Sequence, residues 1–297
     1  SKHEEYRLVV SQQITIVGAT SGPGKSLFLR LAEGGYSVRG IGRDHKKILE
    51  IKQRFGDKYP KAEISAIDVA RDQSFLDSTE VLIHCSRPEL AKGLISSNLA
   101  RFIALGSTRK FTRYPDIKCR EVSEMESRAL SSNVAVTILH PTLIYGAEGL
   151  SNIERIIDMA KNVPFIPLPM RGRSLIQPIH SDDVVDAIIN CLDNDKVINK
   201  SIVIAGPTPI TYRYFVETVV SSIGLSTRVM SVPYLLVAAT ARITRYIPKL
   251  PTIDPAEVKR LLEDKHFDTL EMQRNLGITP RSFETGMAQY ANSREYN

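Results

Sequence analysis

The sequence predicts an α/β protein: a doubly wound parallel sheet with a small, mainly helical C-terminal lobe. Three observations predict it. Short apolar runs recur through the first two thirds of the chain; they alternate with stretches of helical spacing; and the first run is joined to the first helix by a glycine-rich turn.

Residues 13–18 (QITIVG) form a β-branched run that stops at glycine, and Pro23–Glu33 carries Leu27, Phe28 and Leu31 at helical spacing. Strand, turn and helix follow one another there. After the Gly34-Gly35 stop comes a second run at Tyr36–Ile41, and a charged helical stretch leads to a third at Glu63–Asp68. Further runs lie at Val81–Cys85, Arg101–Leu105, Val134–Leu139 and Ser201–Ala205, with a charged helical segment over Asp116–Leu130. These runs are continuously apolar rather than alternating, the pattern of a parallel sheet covered by helices on both faces. Beyond residue 206, Tyr212–Ile223 and Ala256–Lys265 read as helices between many prolines. The expected division is a nucleotide-binding sheet domain, 12–150 with 175–206, and a small lobe, 151–174 with 207–297.

With 297 residues the chain can bury a substantial core, and 42% hydrophobic against 24% charged residues excludes disorder as the default state. Three cysteines, widely spaced, exclude a disulfide scaffold and carry no metal-ligand spacing, so no metal is expected. No apolar stretch is long enough to span a membrane, and the polar, acidic first residues do not read as a signal peptide, so a cytoplasmic location is expected. The net charge of +6 favours an anionic ligand but falls short of a nucleic-acid binder. A phosphate-bearing small molecule satisfies it.

The turn Gly18-Ala19-Thr20-Ser21-Gly22-Pro23-Gly24-Lys25-Ser26 parses in two ways. As GxxxGxG it gives Gly18 for the tight strand exit, Gly22 for close approach of a pyrophosphate and Gly24 for helix–strand packing, with Thr20, Ser21 and Pro23 beside the phosphates. As a degenerate phosphate loop it sets Lys25 on terminal phosphates and Ser26 on Mg²⁺. The end of the second strand separates them. Where NAD-binding folds place an acid for the ribose 2′-hydroxyl, this chain has Gly42-Arg43, followed by Lys46 and Lys47, with Asp44 alongside. A guanidinium there suits a 2′-phosphate, which favours NADP over NAD.

Further blocks carry a family signature: AIDVARDQS (66–74), VLIHCS (81–86), FIALGSTRKFT (102–112), ILHPTLIYG (138–146), IQPIHSDDVVDAI (176–188) and LLEDKHFD (261–268). Together with the glycine turn they resemble the short-chain dehydrogenase/reductase superfamily. The likeness is to its extended and atypical epimerase/dehydratase members and to the related accessory NAD(P)-binding subunit of respiratory complex I. The resemblance implies that Asp68 and Val69 lie against adenine, that Cys85 and Ser86 contact ribose or pyrophosphate, and that Pro141 and Thr142 approach the nicotinamide. It implies a structural role for His180, Asp182 and Asp183.

The same resemblance implies a catalytic Ser, Tyr and Lys, the last two four residues apart on one helix face. Ser107 takes the serine position, and Tyr114-Pro115-Asp116-Ile117-Lys118 matches YxxxK. Its spacing is irregular. Tyr114 follows Ser107 by only seven residues, Pro115 suits a helix start, and Lys118 precedes Pro141 by 23 residues, so the usual pair positions fall near Lys118 and Val122. The expected function is an NAD(P)-binding oxidoreductase or epimerase-like protein acting on a small carbonyl or sugar-type substrate. The alternative is a non-catalytic NADP-binding subunit or sensor. For that alternative, Val232–Pro248 combines an apolar face with Arg242, Arg245 and the following Lys249, offering a peripheral membrane or protein contact.

Overall fold

The computed structural model describes residues 12–236 and 255–295. Seven strands form one parallel sheet: β1 (Ile14–Val17), β2 (Val38–Gly42), β3 (Ala62–Ala66), β4 (Val81–His84), β5 (Arg101–Leu105), β6 (Ala135–Pro141) and a last strand at Lys200–Ile204. From one edge they run Lys200–Ile204, β6, β5, β4, β1, β2, β3, every neighbour parallel. This is the doubly wound order, and the winding reverses between β1 and β4.

The apolar runs are continuous because alternate residues feed two cores. Ile14, Ile16, Val81, Ile83 and Ile103 join one cluster, whereas Val17, Leu82, Phe102 and Ala104 join another on the opposite face. Helix α1 (Gly22–Glu33) and α2 (His45–Phe55) cover the first face through Leu27, Phe28, Leu31, Ile48 and Ile51. The short α3 (Pro88–Ala91) and α4 (Ile117–Leu130) cover the second through Ala91, Met125 and Ala129.

After β6 come β7 (Ile144–Tyr145), α5 (Ser151–Asn162), β8 (Phe165–Pro169), β9 (Leu175–Ile176) and β10 (Ile179–His180). Helix α6 (Ser181–Ile189) returns to the first face beside α1, and the seventh sheet strand is β11 (Lys200–Ile204). Then follow β12 (Ile210–Thr211), α7 (Tyr212–Ser222), β13 (Arg228–Val232), α8 (Pro255–Leu261), α9 (Leu270–Leu276) and α10 (Phe283–Glu295). A third core joins α5, α7 and α10 through Ile153, Ile157, Phe215, Val219, Phe283 and Met287.

Two departures from the sequence expectations have clear causes. The helix expected over Ala256–Lys265 stops at Leu261, because Asp264 and Lys265 instead pair with β9: the Lys265 amide donates to the Leu175 carbonyl at 2.7 Å and the Leu175 amide to the Asp264 carboxylate at 2.9 Å. The parallel β8–β13 pair was not anticipated in a lobe expected to be mainly helical, and β8 carries Pro167 and Pro169. Proline is tolerated there because β8 has β13 as its one partner. Most of the basic stretch from Val232, including Arg242, Arg245 and Lys249, lies outside the described residues.

Candidate functional site

The C-terminal edge of the parallel sheet opens on the glycine turn. Gly18 leaves β1 at φ +86°, and a Cβ there would sit 3.0 Å from the Cys85 carbonyl carbon and the Ser86 nitrogen. A Cβ on Gly24 would lie 2.1 Å from the Gly18 carbonyl oxygen, so only glycine lets α1 approach β1 this closely. Gly22, at φ +55°, starts α1, Ser21 is its N-cap, and Pro23 occupies the first turn. Pro23 therefore brings no N–H to this helix start. The Gly22 amide donates to the Glu148 carbonyl at 2.9 Å, and Lys25 Nζ meets Glu148 Oε2 at 2.6 Å, so the segment around Glu148 rests on the turn. Thr20 packs under β2, where a Cβ on Gly42 would be 2.4 Å from Thr20 Cγ2.

At the tip of β2, Arg43 is exposed. Asp44 Oδ1 accepts the amides of Lys46 and Lys47 at 3.0 and 3.1 Å and so caps α2, leaving the Arg43, Lys46 and Lys47 side chains toward solvent. Past β3, Asp68 accepts the Ala70 amide at 3.1 Å, and Val69 is buried beneath. Beyond β4, burial pushes the Cys85 thiol up to about 12, so it is a protonated apolar filler against Gly24 rather than a nucleophile.

At the ends of β5 and β6 the structure holds a polar cluster that the sequence reading missed. The Ser107 amide donates to His140 Nδ1 at 3.1 Å; this leaves the ring proton on Nε2, which lies 2.6 Å from Glu126 Oε2 and 2.8 Å from Ser201 Oγ. Lys110 Nζ meets both Glu126 oxygens at 2.8 and 2.6 Å. Burial lowers the His140 pKa against the opposing pull of Glu126, while Lys110 and His140 outweigh burial to lower that of Glu126. Gly106 makes room: its Cβ would fall 2.4 Å from Nδ1. The available signal was a histidine near the end of a buried strand, opposite a glutamate in the preceding helix.

Ser107 Oγ accepts the Arg109 amide at 3.1 Å, capping a short 3₁₀ turn over Thr108–Phe111. Thr108 Oγ1 donates to the Pro141 carbonyl, and Thr142 Oγ1 to the Gln177 carbonyl. Ser107, Thr108 and Thr142 open into a cavity of about 1170 Å³ whose far wall is α8 and the segment through Phe267.

Tyr114 lines this cavity, but Lys118 does not. Helix α4 begins at Ile117, capped by Asp116, whose Oδ1 accepts the Cys119 amide at 2.9 Å. Tyr114 thus precedes the helix, and the i, i+4 face that would join it to Lys118 is not formed. Lys118 lies on the exposed side of α4. Burial raises the Asp116 pKa, but Arg109, the Cys119 amide and Arg260 together hold it down to about 2. Among the described residues no cluster of His, Cys, Asp and Glu could hold a metal ion.

A sheet of this order, with a positive-φ glycine turn at its switch point and a cavity at its carboxyl edge, defines a Rossmann-type fold. No family profile matches the chain. It is 23% identical to the uncharacterized protein YbjS of Escherichia coli K12, over 90% of this chain and 93% of that one. Solved structures resemble it throughout. An epimerase from Methanothermobacter thermautotrophicus superposes at TM-score 0.72 with 12% identity, covering 99% of this chain and 95% of that one. dTDP-glucose 4,6-dehydratase from Bacillus anthracis in complex with NAD gives 0.73, with 13% identity and 97% of each chain covered. UDP-glucuronic acid 4-epimerase from Bacillus cereus, in complex with UDP-glucuronic acid and NAD, gives 0.67 with 13% identity, covering 96% of this chain and 100% of that one.

Proposed function

We propose that this protein binds a nicotinamide dinucleotide, NADP in preference to NAD, along the C-terminal edge of the sheet and acts on a small carbonyl or sugar-type substrate in the adjoining cavity. The observation that carries the reading is that the glycine turn after β1 and the cavity-lining Ser107 and Thr142 after β5 and β6 all lie past the carboxyl ends of the same parallel strands. Structural neighbours named as NAD-bound epimerases and dehydratases support a nicotinamide dinucleotide, and Arg43 alone argues for its 2′-phosphate.

The residues present fit the dinucleotide. The turn is a cradle that a Cβ on Gly18 or Gly24 would disrupt, and the start of α1 suits a pyrophosphate. Gly18, Thr20, Ser21, Gly22, Pro23 and Gly24 would hold that group, Arg43 the 2′-phosphate, Asp68 and Val69 the adenine side, Cys85 and Ser86 the ribose, and Pro141 and Thr142 the nicotinamide. When bound, the cofactor supplies hydride transfer. Ser107, whose Oγ already accepts the Arg109 amide, retains its O–H to donate to a substrate oxygen, and Tyr114 is the candidate proton donor from the cavity wall. The three free cysteines and a fold without disulfides suit the reducing cytoplasm.

Fluorescence titration tests the cofactor: NADPH binding at least tenfold tighter than NADH is expected. Binding of neither, or tighter binding of NADH, overturns the proposal.

A second reading is favoured by the separation of Tyr114 from Lys118: a non-catalytic NADP-binding subunit or sensor whose cofactor stabilises an assembly. A cofactor-bound crystal structure separates the two. A Tyr114 hydroxyl within hydrogen-bond reach of a carbonyl set at the nicotinamide supports the enzyme; a hydroxyl turned away supports the subunit.

A further inference from the structure

The cavity wall opposite Ser107 is tied down residue by residue. Glu263 accepts the Thr112 hydroxyl at 2.7 Å and the Arg113 amide at 2.6 Å. Asp264 and Lys265 are fixed to Leu175, and the Phe267 amide donates to Gln177 Oε1 at 2.8 Å. The stretch 263–267 is therefore a rigid rim, and its central side chain, Lys265, lines the cavity.

Lys265 is only partly exposed, yet among the described residues its Nζ makes one hydrogen bond, to the Arg260 carbonyl oxygen, and has no carboxylate within 4 Å. The two carboxylates beside it in sequence are turned away to the Leu175 amide and to Thr112 and Arg113. Asp116, the other nearby acid, is shared by Arg109 and Arg260. An ammonium has three donors, so two are left facing the cavity. Removing such a charge from water is costly unless a partner of opposite sign completes it. Burial accordingly lowers the Lys265 pKa, with Arg109 and Arg260 adding to the effect and Glu263 and Asp264 opposing it. The wall as a whole carries six arginines and lysines against three acidic residues, and Arg155 among them has no ion-pair partner in the described residues. No group among the described residues supplies the missing anion.

We propose that Lys265 is the anion-binding residue of the cavity and that the substrate carries a carboxylate or phosphate group which seats on its ammonium, beside Arg109 and Arg260. This rests on the reading of the cavity as the substrate site. It specifies that reading: a neutral carbonyl compound leaves Lys265 unpaired, whereas an oxyanion pairs it and sets the rest of the molecule toward Ser107.

The test is chemical protection on the full chain with NADPH present. Acetylation of Lys265 by an N-hydroxysuccinimide ester, followed by peptide mass spectrometry, is compared with that of exposed Lys118 in acetate, inorganic phosphate or chloride at equal ionic strength. We expect acetate or phosphate to slow Lys265 acetylation at least fivefold and leave Lys118 unchanged. Protection by acetate alone assigns a carboxylate, and by phosphate alone a phosphate. No protection, or equal protection by chloride, overturns the proposal. Calorimetry of the protecting anion should show at least tenfold weaker binding to Lys265→Met and retained binding to Lys265→Arg; equal binding to Lys265→Met also overturns it. NADPH titration of the same samples keeps the two ideas apart: cofactor binding without protection removes the anion site alone, and protection without cofactor binding removes the dinucleotide reading.

Discussion

His84 closes β4 on the α4 face of the sheet, in line with Leu82 and beside Ala104 of β5. It is fully buried, and neither ring nitrogen has a hydrogen-bond partner among the described residues. Burial lowers its pKa from 6.5 to about 4. The unfolded chain therefore takes up this proton first as pH falls, so the stability present above pH 6.5 is lost between about 6.5 and 4 and is constant below. At 1.36 kcal/mol per unit the whole loss is about 3 kcal/mol, of which about 2 kcal/mol has gone by pH 5. His84→Leu keeps the volume and removes the titration. Urea unfolding at pH 7 and pH 5 should show the variant at least as stable as the parent at pH 7, since an unpaired buried polar group is removed. Its advantage should widen by about 2 kcal/mol at pH 5. An advantage that stays constant between the two pH values refutes the argument, because it means that His84 finds a proton acceptor in the fold.

Gly24→Val should destabilise the protein by at least about 2 kcal/mol and abolish NADPH binding, since its Cβ would be 2.1 Å from the Gly18 carbonyl oxygen; thermal unfolding and fluorescence titration check both. Arg43→Ala should weaken NADPH roughly tenfold to a hundredfold, the worth of charge-assisted hydrogen bonds, while leaving NADH and thermal stability unchanged. Equal loss for both dinucleotides would show that Arg43 does not read the 2′ position. Glu126→Gln should cost about 2 kcal/mol in urea unfolding, because it leaves Lys110 without its carboxylate at a half-buried site; a cost below about 0.5 kcal/mol contradicts the buried network.

The sheet was legible because its signal is local. Ile14–Val17, Val81–His84 and Arg101–Leu105 each announce a strand covered on both faces, and Gly18 and Gly24 announce the turn, whose glycines the packing against Cys85 requires. The candidate site was legible only in part. Ser107 came from the family resemblance and lies just past the end of β5, whereas the i, i+4 face for Tyr114 and Lys118 needs a helix over both. Asp116 decided otherwise: by accepting the Cys119 amide it starts the helix after Tyr114. Capping by one short acidic side chain competes with a pattern match, and no periodicity records which of them wins.

The residues that the sequence hid are those whose partners are distant along the chain. His140 is paired with Glu126 and Ser201, Gly22 with Glu148, and Glu263 with Thr112 and Arg113, 151 and 150 residues apart. The first part of LLEDKHFD fell within the helix expected over Ala256–Lys265. In the fold its acids are consumed by backbone donors and a hydroxyl on neighbouring segments, and its lysine is not. Acids adjacent in sequence to a lysine therefore need not pair with it in the fold. At this cavity the consequence falls on Lys265, because the hydrogen bonds that fix the rim are the ones that remove its counter-ions. The rigidity of the wall and its affinity for an anion thus have one physical cause, and a substrate that matches the site must answer both.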